Sequence, residues 1–350
     1  MQILYFYYPI IVFIFSKLNK LKDKEQIQLY LLFICLFIFC VLSFFDMNSV
    51  PDVEYYNDAF DTLTKVSISA YEKGTAYEFE YGYLLFVKLV GFFSSDPRFL
   101  YIVRAFFSIF VFYYIIKKYS PNIYITGIVF LMFAGNIWQA SFVIRQYMAI
   151  FIFLLAIPSL LEKRPRKYFF ITFCSYMFHD AAIVYFPLYL VYHYVPIRKF
   201  SFKLTTFIIV LLASSAFTVM KTITSFLGIF QNYYEAEEGL GSFGMALRAF
   251  AVLFPIMILY KKAVNDDFGR FCLITASISI ILSFGMWGVG SGSRLFEFYN
   301  YFSIFSLPWC FVNVKMRIYK SLFLIAYITL FSFLFFKDYE TLGAIHFMWE

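Results

Sequence analysis

Charge is scarce in this chain. Asp, Glu, Lys and Arg supply 15% of its 350 residues, against the ~25% usual for a soluble domain. With 62% hydrophobic and 24% aromatic residues, that shortfall excludes an ordinary water-soluble fold. Cysteine and histidine are also few. Cys35, Cys40, Cys174, Cys272 and Cys310 all fall within apolar runs and show no zinc-type spacing with histidine. Neither a disulfide framework nor a zinc site is expected, and these thiols read as small core or lipid-facing residues. The chain has no nucleotide phosphate loop, no HExxH pair, no GxSxG elbow and no haem signature. It also lacks any soluble segment able to hold a nucleotide sugar. No cofactor, metal or nucleic-acid partner is expected.

What remains is a series of apolar runs that approach or meet the ~20 residues needed to cross a bilayer as helix. Candidate spans are residues 3–16, 27–45, 98–116, 122–137, 142–161, 168–178, 182–195, 204–220, 245–260, 271–288, 295–312 and 321–336. The expected fold is all-α: one polytopic transmembrane helical bundle of about 10–13 spans, a single domain over residues 1–350. Residues 3–16 have neither a basic region ahead of them nor a small-residue cleavage site after them, so they read as a retained helix. Residues 81–93 are too short to span, contain Lys88, and would invert the later loop charges if counted. They are expected to form a re-entrant helix.

The basic residues are unevenly distributed. Nineteen of the 29 Lys and Arg cluster in short loops beginning near Lys17, Lys117, Lys163, Arg198, Lys261 and Lys315. Cytoplasmic loops carry the Lys/Arg excess, so these loops are assigned inside. The net charge of +7 is therefore a matter of topology and membrane lipids. Three segments fall outside: 46–80, 221–244 and 285–300. The first is acidic, and its Tyr56, Phe60, Leu63, Val66 and Ala70 recur at helical spacing. An amphipathic helix opening at Pro51-Asp52, closing at Gly74 and lying on the outer leaflet is expected.

The remaining arginines border spans at this outer side. Arg104, Arg145, Arg248 and Arg294 are costly there and are functional candidates. A planar guanidinium matches phosphate oxygens bidentately, and Arg145, Arg248 and Arg294 fall near helix N-termini, which favour anions. A cationic basin for a lipid-linked phosphate or diphosphate is the functional reading. The structural alternative pairs each arginine with a carboxylate or a headgroup. His179, beside Asp180, suits proton transfer or a buried structural hydrogen bond. Glu80 either accepts a proton or hydrogen-bonds a sugar hydroxyl, or it is a solvated loop charge. Asp52 caps its helix or touches substrate. Tyr299 belongs to an aromatic belt or stacks on a sugar.

The ordered series PDVEYYNDAF, EFEYGYLLFVKLV, WQASFVIRQYMAIFIFLLA, SYMFHDAAIVYFPL and RLFEFYNYFSIFSLP resembles the EpsG family of bacterial Wzy-type polysaccharide polymerases. The resemblance runs from about residue 50 to 310. It implies a GT-C-like membrane glycosyltransferase in the plasma (inner) membrane, with its site facing the periplasm or cell exterior. Such an enzyme joins undecaprenyl-diphosphate-linked oligosaccharide repeats by inverting, metal-independent transfer, for O-antigen, capsule or exopolysaccharide. A chain-length regulator and a flippase are the implied partners. By position, the resemblance implicates Glu80, Arg145, Gln146, His179 and Arg294. The mechanism expected from these and the residue reading together uses Glu80 and His179 in catalysis and Arg145 and Arg294 in diphosphate binding, helped by Arg248 or Arg104, with Gln146, Asp52, Glu297 and Tyr299 as substrate contacts. Some Wzy proteins carry an arginine followed sixteen residues later by glycine. Here Arg145 precedes Leu161 and Arg248 precedes Val264 at that spacing, so those arginine roles do not transfer. Rival readings are a ligase using the same lipid donor and a flippase or transporter. Transporters often show related halves, and no internal repeat is visible.

Overall fold

The computed structural model describes residues 51–68, 71, 79–132, 143–227, 241–286 and 293–315, together with Gln26 and Lys320. The regular elements among them are all helical. The expected spans 3–16, 27–45 and 321–336 lie outside the described residues, as does much of the three outer segments. Contacts divide the chain into two compact units. The first comprises Met1–Ala156, Phe170–Asp180 and Ser321–Glu350; the second comprises Ile157–Phe169 and Ala181–Lys320.

The first unit begins with α1 (Pro51–Lys65), α2 (Tyr81–Phe93), α3 (Arg98–Tyr119), α4 (Ile123–Met132) and α5 (Ile144–Leu154). In α1, Val53, Tyr56, Phe60 and Leu63 recur every three or four residues and are all buried. They form one apolar stripe, and α1 packs on α2. The helices approach closely: a Cβ at Gly91 of α2 would sit 2.3 Å from Thr64 Cγ2. The stripe is thus occupied by protein, whereas the sequence predicted contact with a lipid leaflet. The helix also ends at Lys65, well short of Gly74. Its last carbonyls have a partner no local pattern announced, because the Lys88 ammonium of α2 donates to Thr64 O at 3.4 Å and to Val66 O. A cation at a helix C-terminus meets the free carbonyls and the negative end of the dipole.

Helix α3 starts where the Asp96 carboxylate accepts from Arg98 N at 2.9 Å, and it carries Lys117 and Lys118 in its last turn. It packs on α2, α4 and α5. Helix α5 is followed by α6 (Ile157–Leu161), and Ile144–Leu161 forms one apolar stretch of 18 residues. Next come α7 (Pro165–Tyr176), a 3-10 turn at Asp180–Tyr185, and α8 (Phe186–Tyr194).

The second unit continues through α9 (Phe202–Leu227), α10 (Gly241–Ile258), α11 (Tyr260–Asn265), α12 (Asp267–Gly285), α13 (Ser293–Asn300) and α14 (Ser303–Asn313). Helix α12 is the axis of this unit, and each of α8, α9, α10, α11, α13 and α14 packs on it. Its start is fixed by Asp266, which accepts from Gly269 N and from Trp309 Nε1, both at 2.7 Å. Three of its hydroxyls are satisfied by their own helix: Thr275, Ser277 and Ser283 donate to the carbonyls of Phe271, Leu273 and Ile280, as hydroxyls in apolar helices commonly do.

Arg98–Tyr119, Ile144–Leu161, Phe202–Thr222 and Asp267–Gly285 are the described helices long and apolar enough to cross a membrane. The predicted span 295–312 is two helices separated by a turn at Tyr301-Phe302, and 182–195 opens as the 3-10 turn. The span 245–260 begins earlier, at Gly241, and breaks at Leu259.

Candidate active site

Glu80 occupies the N-cap position of α2, yet its carboxylate does not cap that helix. One oxygen, Oε2, accepts from Arg145 Nη1 at 2.8 Å; the other, Oε1, accepts the backbone N–H of Asp180 at 3.1 Å. Three segments far apart in sequence therefore converge on one carboxylate. Arg145 is the second residue of α5. Its Nε donates to the Tyr56 hydroxyl at 3.3 Å, and its guanidinium lies 4.8 Å from the centre of the Phe79 ring. Phe79 in turn stacks on Tyr56, with centroids 5.8 Å apart and planes at 20°. This cation on an aromatic face is favourable, and more so where water is excluded. The Arg145 and Glu80 side chains retain 16% and 7% exposure, so the pair is mostly but not fully withdrawn from solvent.

Backbone contacts hold these groups in place. The Tyr71 hydroxyl donates to Phe79 O at 2.9 Å and accepts from Phe79 N at 3.0 Å, clamping the residue before Glu80. Two residues on, Gly82 N donates to Met177 O at 2.8 Å. Only glycine permits that approach, because a Cβ there would lie 2.6 Å from Met177 O. At the end of α7, Ser175 Oγ donates to Ala149 O of α5 at 2.7 Å. The turn carrying His179 and Asp180 is thus pinned to α2 by Gly82 and to α5 by Ser175. His179 is buried, and its N–H is shared between Ser175 O and Tyr176 O.

The second unit holds its own cation–carboxylate pair. Arg248 of α10 lies 3.7 Å from Glu297 of α13, and Asn300 Nδ2 donates to the same carboxylate at 3.2 Å. Tyr299 donates its hydroxyl to Val184 O at 2.8 Å, while Tyr185 donates to Phe298 O at 2.7 Å. Tyr299 is buried and joins α13 to the 3-10 turn. Its hydroxyl and ring are thus engaged within this unit.

The family model for the EpsG family matches residues 29–347. The chain belongs to the EpsG family. No curated protein and no solved structure matches it. Family membership and the long apolar helices make it a multi-pass membrane protein with a polysaccharide polymerase-like role.

Within this EpsG family member, the first unit brings together Glu80, Arg145 and the His179-Asp180 turn, with Gln146 buried next to Arg145 in sequence. Arg104 is in the same unit but has no exposed surface at all. Arg294, the second residue of α13, is half-buried, and Arg248 and Glu297 form the separate pair of the second unit. Asp52 is the second residue of α1; its side chain lies outside the described residues. His193 is structural, with Nε2 hydrogen-bonded to Leu160 O at 2.7 Å. Tyr56, Phe79, Tyr71 and Gly82 were not singled out for these roles by sequence reasoning. The one local signal was the composition of EFEYGY, where two carboxylates and a glycine alternate with aromatics.

Proposed function

We propose that this chain is a GT-C-like polysaccharide polymerase of the bacterial plasma membrane. It joins undecaprenyl-diphosphate-linked oligosaccharide repeats on the outer face, where the arginine-bordered helix ends lie opposite the basic loops. On this reading α2, at ~20 Å, is too short for the ~30 Å hydrocarbon core and enters as a re-entrant helix that carries Glu80 to headgroup depth. The observation that carries the proposal is the Arg145–Glu80 pair, with Glu80 held from its other oxygen by the Asp180 amide.

The donor diphosphate competes with Glu80 for the guanidinium edge of Arg145. Once that edge turns to phosphate, Glu80 Oε2 is released while the Asp180 amide still orients the carboxylate through Oε1. The acceptor hydroxyl then hydrogen-bonds Oε2. Its oxygen attacks the anomeric carbon from the face opposite the diphosphate, and the proton passes to Glu80. The anomeric C–O bond breaks, and its electron pair leaves with undecaprenyl diphosphate. Arg145 stabilises the charge that develops there, and inversion follows from the in-line attack. A base exposed only when the donor is bound limits wasteful reaction with water. His179, beside Asp180 on the same turn, is assigned to pass the proton on. Arg294 and the Arg248–Glu297 pair are assigned to phosphate and sugar recognition on the same chemical grounds, and Gln146 and Asp52 to substrate contact.

The test is glycan length in a deletion strain complemented with wild type, Arg145→Ala or Glu80→Gln, with membrane abundance measured in parallel. Single repeats in the deletion strain, rescued by wild type and by neither variant at normal abundance, are the expected result. Full-length glycan without the gene removes the polymerase reading, and long lipid-linked chains that fail to transfer point to a ligase. Normal polymer length with either variant removes the assigned chemistry.

A further inference from the structure

Helices α9 and α10 each pack on α12 but leave an open groove between them. Its volume is about 630 Å³; Ile280 and Phe284 of α12 form its floor, Val210 and Ala213 belong to the α9 wall, and Leu247 and Phe254 belong to the α10 wall. Two hydroxyls line it, and both are turned to their own helix: Thr206 donates to Phe202 O and Ser214 to Leu211 O, each at 2.9 Å. The groove is therefore effectively hydrocarbon. Along α10 it runs from Phe243 to Met257, ~21 Å at ~1.5 Å per residue. That exceeds the ~15 Å depth of one leaflet, half of the ~30 Å core.

At its Met257 end the groove runs into a second cavity of about 640 Å³, which shares Phe202, Phe254 and Met257 and carries Lys261, Lys262 and Lys315 on its wall. These three lysines are exposed, and no carboxylate pairs with them among the described residues. The nearby basic side chains of Arg198 and Arg270 differ, since both are bound to Asp267 at 2.6 and 3.0 Å. An apolar channel thus ends at three unneutralised ammonium groups.

We infer that this is a binding site for an anionic diacyl phospholipid, with an acyl chain in the groove and the phosphate among Lys261, Lys262 and Lys315. Basic pockets between membrane helices on the cytoplasmic side recognise anionic headgroups in this way. The lysines belong to basic clusters whose charge assigns them to that side, so the lipid is drawn from the inner leaflet. The inference rests on membrane insertion and not on the polymerase reading, and failure of one leaves the other standing.

The test is thermal unfolding of the full chain, purified in detergent and delipidated, with added phosphatidylglycerol or phosphatidylcholine of matched acyl chains. Phosphatidylglycerol should raise the midpoint by several degrees more than phosphatidylcholine does. Replacing all three lysines (K261Q, K262Q and K315Q together) should abolish the difference, and these exposed positions are not needed for folding. Val210→Trp, which fills the groove from an exposed position, should do the same. Equal shifts with both lipids overturn the inference, as does a lipid preference that survives the lysine replacements. Inorganic phosphate alone reproducing the shift, or a polyprenyl phosphate exceeding phosphatidylglycerol at matched charge, overturns the phospholipid assignment.

Discussion

Replacing Gly82 with alanine changes one hydrogen to a methyl group on the side of α2 that touches Met177. The new Cβ would lie 2.6 Å from Met177 O and 2.8 Å from Met177 C, where ordinary contact begins near 3.4 Å. The atoms it meets first are backbone, which cannot swing aside as a long side chain would. Relief requires the turn to retreat by about 0.8 Å, the difference between the 3.4 Å and 2.6 Å distances. That retreat stretches the 2.8 Å Gly82 N to Met177 O bond and the 3.1 Å Asp180 N to Glu80 Oε1 bond. Overpacking of this kind costs ~1–3 kcal/mol of stability. A misplacement approaching ~1 Å at a positioned catalytic group can cost ~100-fold in rate. Gly82→Ala should therefore accumulate in membranes near the wild-type level while its glycan collapses towards short chains. Gly244→Ala is the control, because a Cβ there has no atom within 4 Å, and it should leave the glycan unchanged. Full-length polymer from Gly82→Ala at normal abundance refutes the claim that this contact sets the geometry of Glu80.

Two further substitutions separate structural from chemical roles. Lys88→Met strips the ammonium from the Thr64 and Val66 carbonyls, and an acceptor left unsatisfied costs ~1–3 kcal/mol. Its melting midpoint in detergent should fall by several degrees, with Lys88→Arg recovering part of the loss; an unchanged midpoint removes the capping role. Tyr299→Phe deletes only the hydroxyl bonded to Val184 O at 2.8 Å. A loss of ~1 kcal/mol in stability with normal glycan length is expected, whereas a shortened glycan at unchanged stability would support a sugar contact.

The fold was legible in the sequence wherever one helix decides its own fate. Residues 81–93 were marked as a separate short helix by length and charge parity, and Tyr81–Phe93 is the helix found. Apolar length likewise located Arg98–Tyr119 and Ile144–Leu161. Boundaries set by a partner were not legible. The end of α1 depends on a lysine 23 residues beyond its last residue, Lys65, so Gly74 looked like the natural stop. Periodicity established that α1 has an apolar face but not what covers it, because lipid and α2 satisfy the same stripe equally well.

The site divides along the same line. Arg145, Glu80 and His179 were identifiable one by one, since an ionisable group beside an apolar helix needs a reason to be there. Their convergence was not, because the decisive contacts join residues 65 and 100 positions apart. The same ambiguity applies to Arg104 and Tyr299. Sequence places an arginine near a helix end and a tyrosine near an interface, and both positions suit a ligand as well as they suit the protein. Burial distinguishes their settings. Arg104 has no exposed surface and Tyr299 gives its hydroxyl to a backbone carbonyl, whereas the Arg145 side chain keeps 16% exposure on an aromatic bed beside a carboxylate. A cation that a phosphate is to reach must be accessible, and one that is to act strongly must be largely shielded from water. Arg145 and Arg248 each meet both conditions beside a carboxylate. The shorter pair, at 2.8 Å, is also the one whose carboxylate is held from its other side. On the proposed mechanism that second hold is what would keep Glu80 aimed once Arg145 turned to phosphate, and for that reason the proposal rests on Glu80 and Arg145.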